Sequence, residues 1–457
     1  MPFIPHTVAQ HAKMLATIGA SRFEELLGAI PEKLLLEQKL DLPPAHGEVE
    51  LAARATALIA QNQQIPLNRM FAGGGIYPHH IPAVVDELAR RGEFYTAYTP
   101  YQAEVSQGML QCIYEYQSYI CMLTGMEVSN ASSYDGGTAL ADAVFMAYNH
   151  TKGKRRRVIF APYIAPPARQ VVATYGQGLQ LELSNCPADE DGRLDPDALA
   201  LLVDKNVAAV VFQYPDYLGY LDEQLESYIQ RVHAFGALAI VLYYPYVAGI
   251  AKTPGELGAD IVCGEAQCLG NPMGFGGPLL GFLACRESLT RLIPGRLVGR
   301  APCERDGEPG EGFVMTLQAR EQHIRRARAT SNICSNEALL ALRTCFYLGA
   351  IGRQGFTDIA LLCHENAKYA HEKLCAINGV ADYFPQRAFF NEFTLRFPSQ
   401  LRDKVYDVAL GKGILAGIKP EDSPHSDLVD ALTFAFTEMH SHEDIDALAR
   451  AIEEVLA

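Results

Sequence analysis

The sequence is short of positive charge: 38 Lys and Arg against 53 Asp and Glu leave a formal net charge of −15. That excludes a surface built to neutralise nucleic-acid phosphates, which needs clustered cations, and it disfavours an anionic membrane. No uninterrupted apolar run is long enough to span a bilayer. The start, Met1-Pro2-Phe3-Ile4-Pro5-His6, lacks the basic-then-apolar pattern of a signal peptide, so a cytoplasmic location is the expectation. The 11 Cys form no C-x-x-C pair and the 13 His no H-E-x-x-H. Several Cys, such as Cys121 and Cys345, sit in apolar runs, where buried reduced thiols fit better than disulfides or metal ligands. No metal site is expected. Lysine is missing altogether from 253 through 367, a stretch of 115 residues.

What is present suits a large globular chain: 457 residues, 49% of them hydrophobic, enough for two or three domains. Residues 1–65 read as a helical arm, with Ala53–Gln61 helical in composition and Pro31 and Pro43-Pro44 as punctuation. Residues 66–330 alternate short apolar strands with helices. The strand candidates are 157–161, 179–183, 208–214, 237–243, 260–263 and 279–284. Such runs predict an α/β domain with a mainly parallel sheet covered on both faces. Residues 331–457 read as a smaller α+β domain: two long helices, 336–351 and 356–377, then strands near 390–397 and 431–437 and a final helix from about His442. Asp306-Gly307-Glu308-Pro309-Gly310 reads as a surface loop.

Three segments carry candidate chemistry. The loop Asp135-Gly136-Gly137-Thr138 opens a helix, and its glycines let backbone N–H groups approach an anion at the positive helix end, with the Thr138 hydroxyl as a further donor. A lone Gly-Gly-Thr is a weak signal, and on its own it suits a plain helix cap on Asp135 better. In the loop 93–102, Tyr95, Tyr98 and Tyr101 recur every third residue, with Gln102 beside them. Pro100 argues against a helix, and the choice lies between a pocket wall and ordinary surface packing. The run Arg320–Arg328 is basic within an acidic chain. Its Arg325 and Arg326 suit carboxylates or phosphates, or simply a solvated helix face.

Four longer stretches resemble the glycine dehydrogenase (decarboxylating) family, the P-protein of the glycine cleavage system. They are EFYTAYTPYQAEVSQ (Glu93–Gln107), SYDGGTALADA (Ser133–Ala143), LGADIVCGEAQCLGNPMGFGGPLLGF (Leu257–Phe282) and GFVMTLQAREQHIRRARATSNICSN (Gly312–Asn336). They follow the family's order through most of the chain, and the length suits the first (α) subunit of the two-subunit form. Pro78 and Ala266 depart from the family's commoner Asp and Gly.

The resemblance implies a fold-type I pyridoxal-phosphate transferase architecture, like aspartate aminotransferase, with a small C-terminal domain. It also implies an oxidoreductase of glycine catabolism, which decarboxylates glycine and passes the aminomethyl group to the lipoyl arm of H-protein. That chemistry needs a Schiff-base lysine and an acid against the pyridine nitrogen. Counted back from Gly276-Gly277-Pro278, the lysine position is Gln267, and the strand that should end in the acid reads Leu242-Tyr243-Tyr244-Pro245. No catalytic residue is therefore expected in this chain, and pyridoxal phosphate is expected on a partner β subunit, in an α2β2 complex. Tyr95, Tyr98, Tyr101 and Gln102 become candidates to line a pocket at the subunit interface. Asp135, Gly136, Gly137, Thr138, Arg325 and Arg326 become candidate anion, substrate or partner contacts. The competing expectations are a non-catalytic scaffold subunit and an independent pyridoxal-phosphate enzyme of another small amino acid. The latter would have to use Lys252.

Overall fold

The computed structural model describes residues 6–36, 40–62, 65–305, 307–420 and 428–457. The chain divides into two compact units, Met1–Gln63 and Gln64–Ala457. The first carries helices Val8–Thr17 and Glu48–Ile59, and neither contains a buried residue. Thr7 caps the first, accepting from the Gln10 N–H. The second begins five residues before the expected Ala53, because Glu48 and Glu50 place negative charge in its first turn and the Glu50 carboxylate accepts from the Gly47 N–H.

The second unit is built on a seven-stranded sheet: β1 (Val128–Ser129), β2 (Arg157–Phe160), β3 (Glu182–Asn185), β4 (Val207–Tyr214), β5 (Leu238–Tyr243), β6 (Ile261–Glu265) and β7 (Gly281–Cys285). Their spatial order is β1-β7-β6-β5-β4-β2-β3. β3, β2, β4, β5 and β6 pair in parallel, while β7 joins β6, and β1 joins β7, antiparallel. The central runs are apolar on both faces, and residues such as Val210, Val211, Ile240, Val241 and Val262 have no measurable exposure. Each such side chain contributes roughly 1.5–3 kcal/mol of burial. β3 starts at Glu182, not Leu179, because Gln177–Leu179 closes a short 3-10 turn and Gln180 takes a left-handed conformation, φ 52°.

A second apolar cluster surrounds an antiparallel sheet of Ala381–Asp382, Glu392–Arg396 and Ala431–Ala435, covered by helices Leu401–Gly411 and His442–Leu456. The long helical segment Ala338–Cys375 serves both clusters: Leu340 to Cys363 pack on the large sheet, Ala367 to Leu374 on the small one. It breaks at Gly352 (φ 62°, ψ −177°), close to the expected division between two helices. The expected surface loop at 306–310 is instead a hairpin. Val298–Arg305 pairs with Glu308–Met315, so Glu308, Pro309 and Gly310 lie in a strand, with Gly307 at φ 84° in the turn; Asp306 lies outside the described residues. Pro309 is tolerated because a two-stranded ribbon leaves one edge free of ladder bonds.

Candidate functional site

The carboxyl ends of parallel strands leave a crevice where ligands bind in open α/β sheets. Here that crevice is a cavity of about 360 Å³. Residues following β4 (Pro215, Asp216), the end of β5 (Leu242, Tyr243, Tyr244) and Glu265 at the end of β6 form its floor. Asp135-Gly136-Gly137 closes one side, Ala165 to Val171 another, and Gly74 to Tyr77 with Glu392 the third.

Two glycine loops meet this cavity, and each grips a glutamate of the same chain. At the helix Gly136–His150, Glu265 Oε2 accepts from the Gly136 N–H at 3.0 Å, while Oε1 accepts from the Gln267 N–H at 3.0 Å and the Leu280 N–H at 2.8 Å. Asp135 Oδ1 accepts from the Thr138 N–H at 2.7 Å, and the Thr138 hydroxyl donates to the Asp135 carbonyl at 3.0 Å. Asp135 therefore does cap the helix. At the other loop, Glu392 accepts from the Gly74 N–H at 2.7 Å and from the Tyr77 hydroxyl at 2.6 Å. A Cβ at Gly73 would lie 2.0 Å from Glu392 Oε1, so glycine is what allows the loop to close on this side chain.

Burial pushes the Glu265 carboxyl up to about 7, against the pull of its three backbone donors, with Asp135 adding to the rise. Burial also takes Glu392 up to about 7, opposed by the Tyr77 hydroxyl and the Gly74 N–H. Asp216 is held by Arg387 at 2.7 Å. Behind the cavity, His79 bonds to the Tyr244 hydroxyl at 2.6 Å and to Glu438 at 2.8 Å. Cys363 brings its sulfur into the same cluster, with the ligand atoms of His79, Cys363 and Glu438 within 4.8 Å of one another. Both ring nitrogens of His79 are already engaged, so this cluster ties the small sheet to the large one.

A pyridoxal-phosphate group does not fit the residues present. Four carboxyl-bearing residues (Asp135, Asp216, Glu265 and Glu392) line the cavity, and among the described residues no Lys, Arg or His does. Gln267 is buried and does not line the cavity; its amide donates to the Asn271 carbonyl. The end of β5 offers Tyr243 and Tyr244 in place of an acid. Lys252, whose side chain is 68% exposed, pairs with Glu226 at 3.7 Å and borders a different groove.

The other candidates lie elsewhere. Tyr95, Tyr98 and Tyr101 are 67%, 84% and 57% exposed, and Gln102 is exposed beside them. None of these four lines the 360 Å³ cavity. Tyr95 ends a single helical turn, Gly92–Tyr95, and Tyr101 receives the Arg296 guanidinium over its ring at 5.7 Å. Arg325 and Arg326 are exposed. Sequence reasoning did not single out Glu265 and Glu392. For Glu265 the available signal was an acid at the end of an apolar strand, two residues before the expected lysine position; for Glu392 nothing local marked it.

Residues 1–452 match the family model described as glycine cleavage system P-protein. Along the full length of both chains, the protein is 45% identical to a probable glycine dehydrogenase (decarboxylating) subunit 1 of Thermomicrobium roseum. It superposes with a TM-score of 0.88 on a crystal structure of a glycine decarboxylase (P-protein) of the glycine cleavage system in inhibitor-bound form, 40% identical with both chains fully covered. A sphingosine-1-phosphate lyase from Burkholderia pseudomallei shares the fold at a TM-score of 0.65 and 14% identity, covering 93% of each chain. The architecture is the fold-type I α/β arrangement that the sequence predicted. Among the described residues, no helix is long and apolar enough to cross a membrane.

Proposed function

The chain belongs to the glycine cleavage system P-protein family, and from that premise we propose that it is the first of two unlike subunits of a glycine dehydrogenase (decarboxylating). The complex would decarboxylate glycine and pass the aminomethyl group to the lipoyl arm of H-protein. The observation that carries this reading is the full-length match to relatives named as subunit 1. The acidic cavity, with no Lys among the described residues that line it, supports the division of labour; pyridoxal phosphate would be held on the second subunit of an α2β2 complex. A phosphate ester would meet four carboxyl-bearing residues here and, among the described residues that line the cavity, no cation.

In this reading the exposed tyrosine loop is the part offered to the partner's site. Tyrosine combines an apolar ring with a polar tip at low entropic cost, which suits it to a shared pocket wall. Tyr95, Tyr98 and Tyr101 would line that wall with Gln102 as a polar contact. Arg325 and Arg326 would meet the glycine carboxylate, H-protein or the partner chain. The test is an isotope exchange between bicarbonate and the glycine carboxyl group. The purified chain alone should show none, and adding the second subunit should restore it. Exchange by this chain alone would refute the reading.

A further inference from the structure

We propose that Glu265 permanently fills the anion cup at the head of the helix Gly136–His150, so that this chain is built to exclude phosphate esters. The inference rests on the reading that the cofactor belongs to the partner, and it goes further: it names the group that keeps phosphate out.

The first-turn N–H groups of a helix are an anion site by virtue of geometry and dipole. In this helix two of them, those of Gly136 and Thr138, are already taken up by side chains of the same chain. Gly136 donates to Glu265, Thr138 to the Asp135 side chain at 2.7 Å, and Ala139 to the Asp135 carbonyl at 3.0 Å. Glu265 also gathers the N–H groups of Gln267 and Leu280, which leave β6 and enter β7. Three separate segments thus converge on one carboxyl group, as they could on the oxygens of a bound phosphate. Glycine at 136 fits this role, since a Cβ would lie 3.0 Å from the Glu265 backbone nitrogen. In the glycine pair that looks like a phosphate loop in the sequence, Gly136 serves the close packing of helix on strand, while Gly137 faces Val171 of the helix Pro166–Gly176.

The cup is testable with inorganic phosphate, pyridoxal phosphate and formate on the full-length chain. Wild type should bind neither phosphate nor pyridoxal phosphate detectably, and formate should leave its melting temperature unchanged. Glu265→Ala should bind phosphate at least about tenfold more tightly than wild type, the scale of one charge-assisted hydrogen bond. Formate or phosphate should raise the melting temperature of Glu265→Ala by several degrees, a rescue that reads out even if the variant is weakened. Glu265→Gln keeps the volume and should gain no phosphate affinity. Phosphate binding by wild type as tight as by Glu265→Ala would overturn the proposal, and so would the absence of rescue by either anion. Failure of the subunit reading would look different: a borohydride-reduced pyridoxyl group on a lysine of this chain.

Discussion

The two glycine loops and the tyrosine loop are both polar segments of the kind that build sites, yet they have opposite fates. At the glycine loops, Glu265 and Glu392 take up backbone donors from their own chain. At the tyrosine loop, three aromatic side chains remain more than half exposed. A loop that satisfies its own donors has become structure, whereas one that leaves large rings in water is available to another molecule. That contrast separates the part of this chain that holds the fold from the part that would serve a partner.

The sharpest way to break the comparison is Glu265→Ala. It strips three backbone N–H groups of their acceptor and should cost about 2–4 kcal/mol in urea unfolding. A smaller effect comes through pH. Glu265 and Glu392 sit at about 7 when folded, above the usual 4.5. For a carboxyl raised in this way, the stabilisation is fully present below 4.5 and is lost as pH rises through 7. Wild type should therefore weaken between those values, and Glu392→Gln should flatten the slope by about 1–3 kcal/mol, measured as urea midpoints across the range. The smallest stability effect belongs to Tyr98→Ala. At 84% exposure it should shift stability by about 0.5 kcal/mol or less. In the reconstituted complex it should cut glycine–bicarbonate exchange about tenfold or more while assembly persists. A scaffold role would leave turnover unchanged.

The parallel core was legible because buried strands such as β4 and β5 are continuous apolar runs with helices between them. The hairpin Val298–Met315 was not, since its Gly and Pro resemble loop punctuation and its pairing lies in the partner strand. For the helix Gly136–His150, Asp135-Gly136-Gly137-Thr138 signalled a helix head but left open whether an anion occupied it. The answer lay 129 residues away, at Glu265. Glu392 was less accessible still, because the Gly73–Gly75 loop and its acid are 318 residues apart between donor and acceptor. That Gln267 falls within the lysine-free stretch was legible from one dimension. Its turn away from the cavity toward Asn271 needed the fold.

The central claim is that this chain shapes a site whose cofactor is held by another chain. Borohydride reduction of the reconstituted complex loaded with pyridoxal phosphate, followed by peptide mapping, tests it directly. The account predicts the pyridoxyl label on a lysine of the second subunit and none on this chain. A stoichiometric label on Lys252, or on any other lysine here, would contradict it.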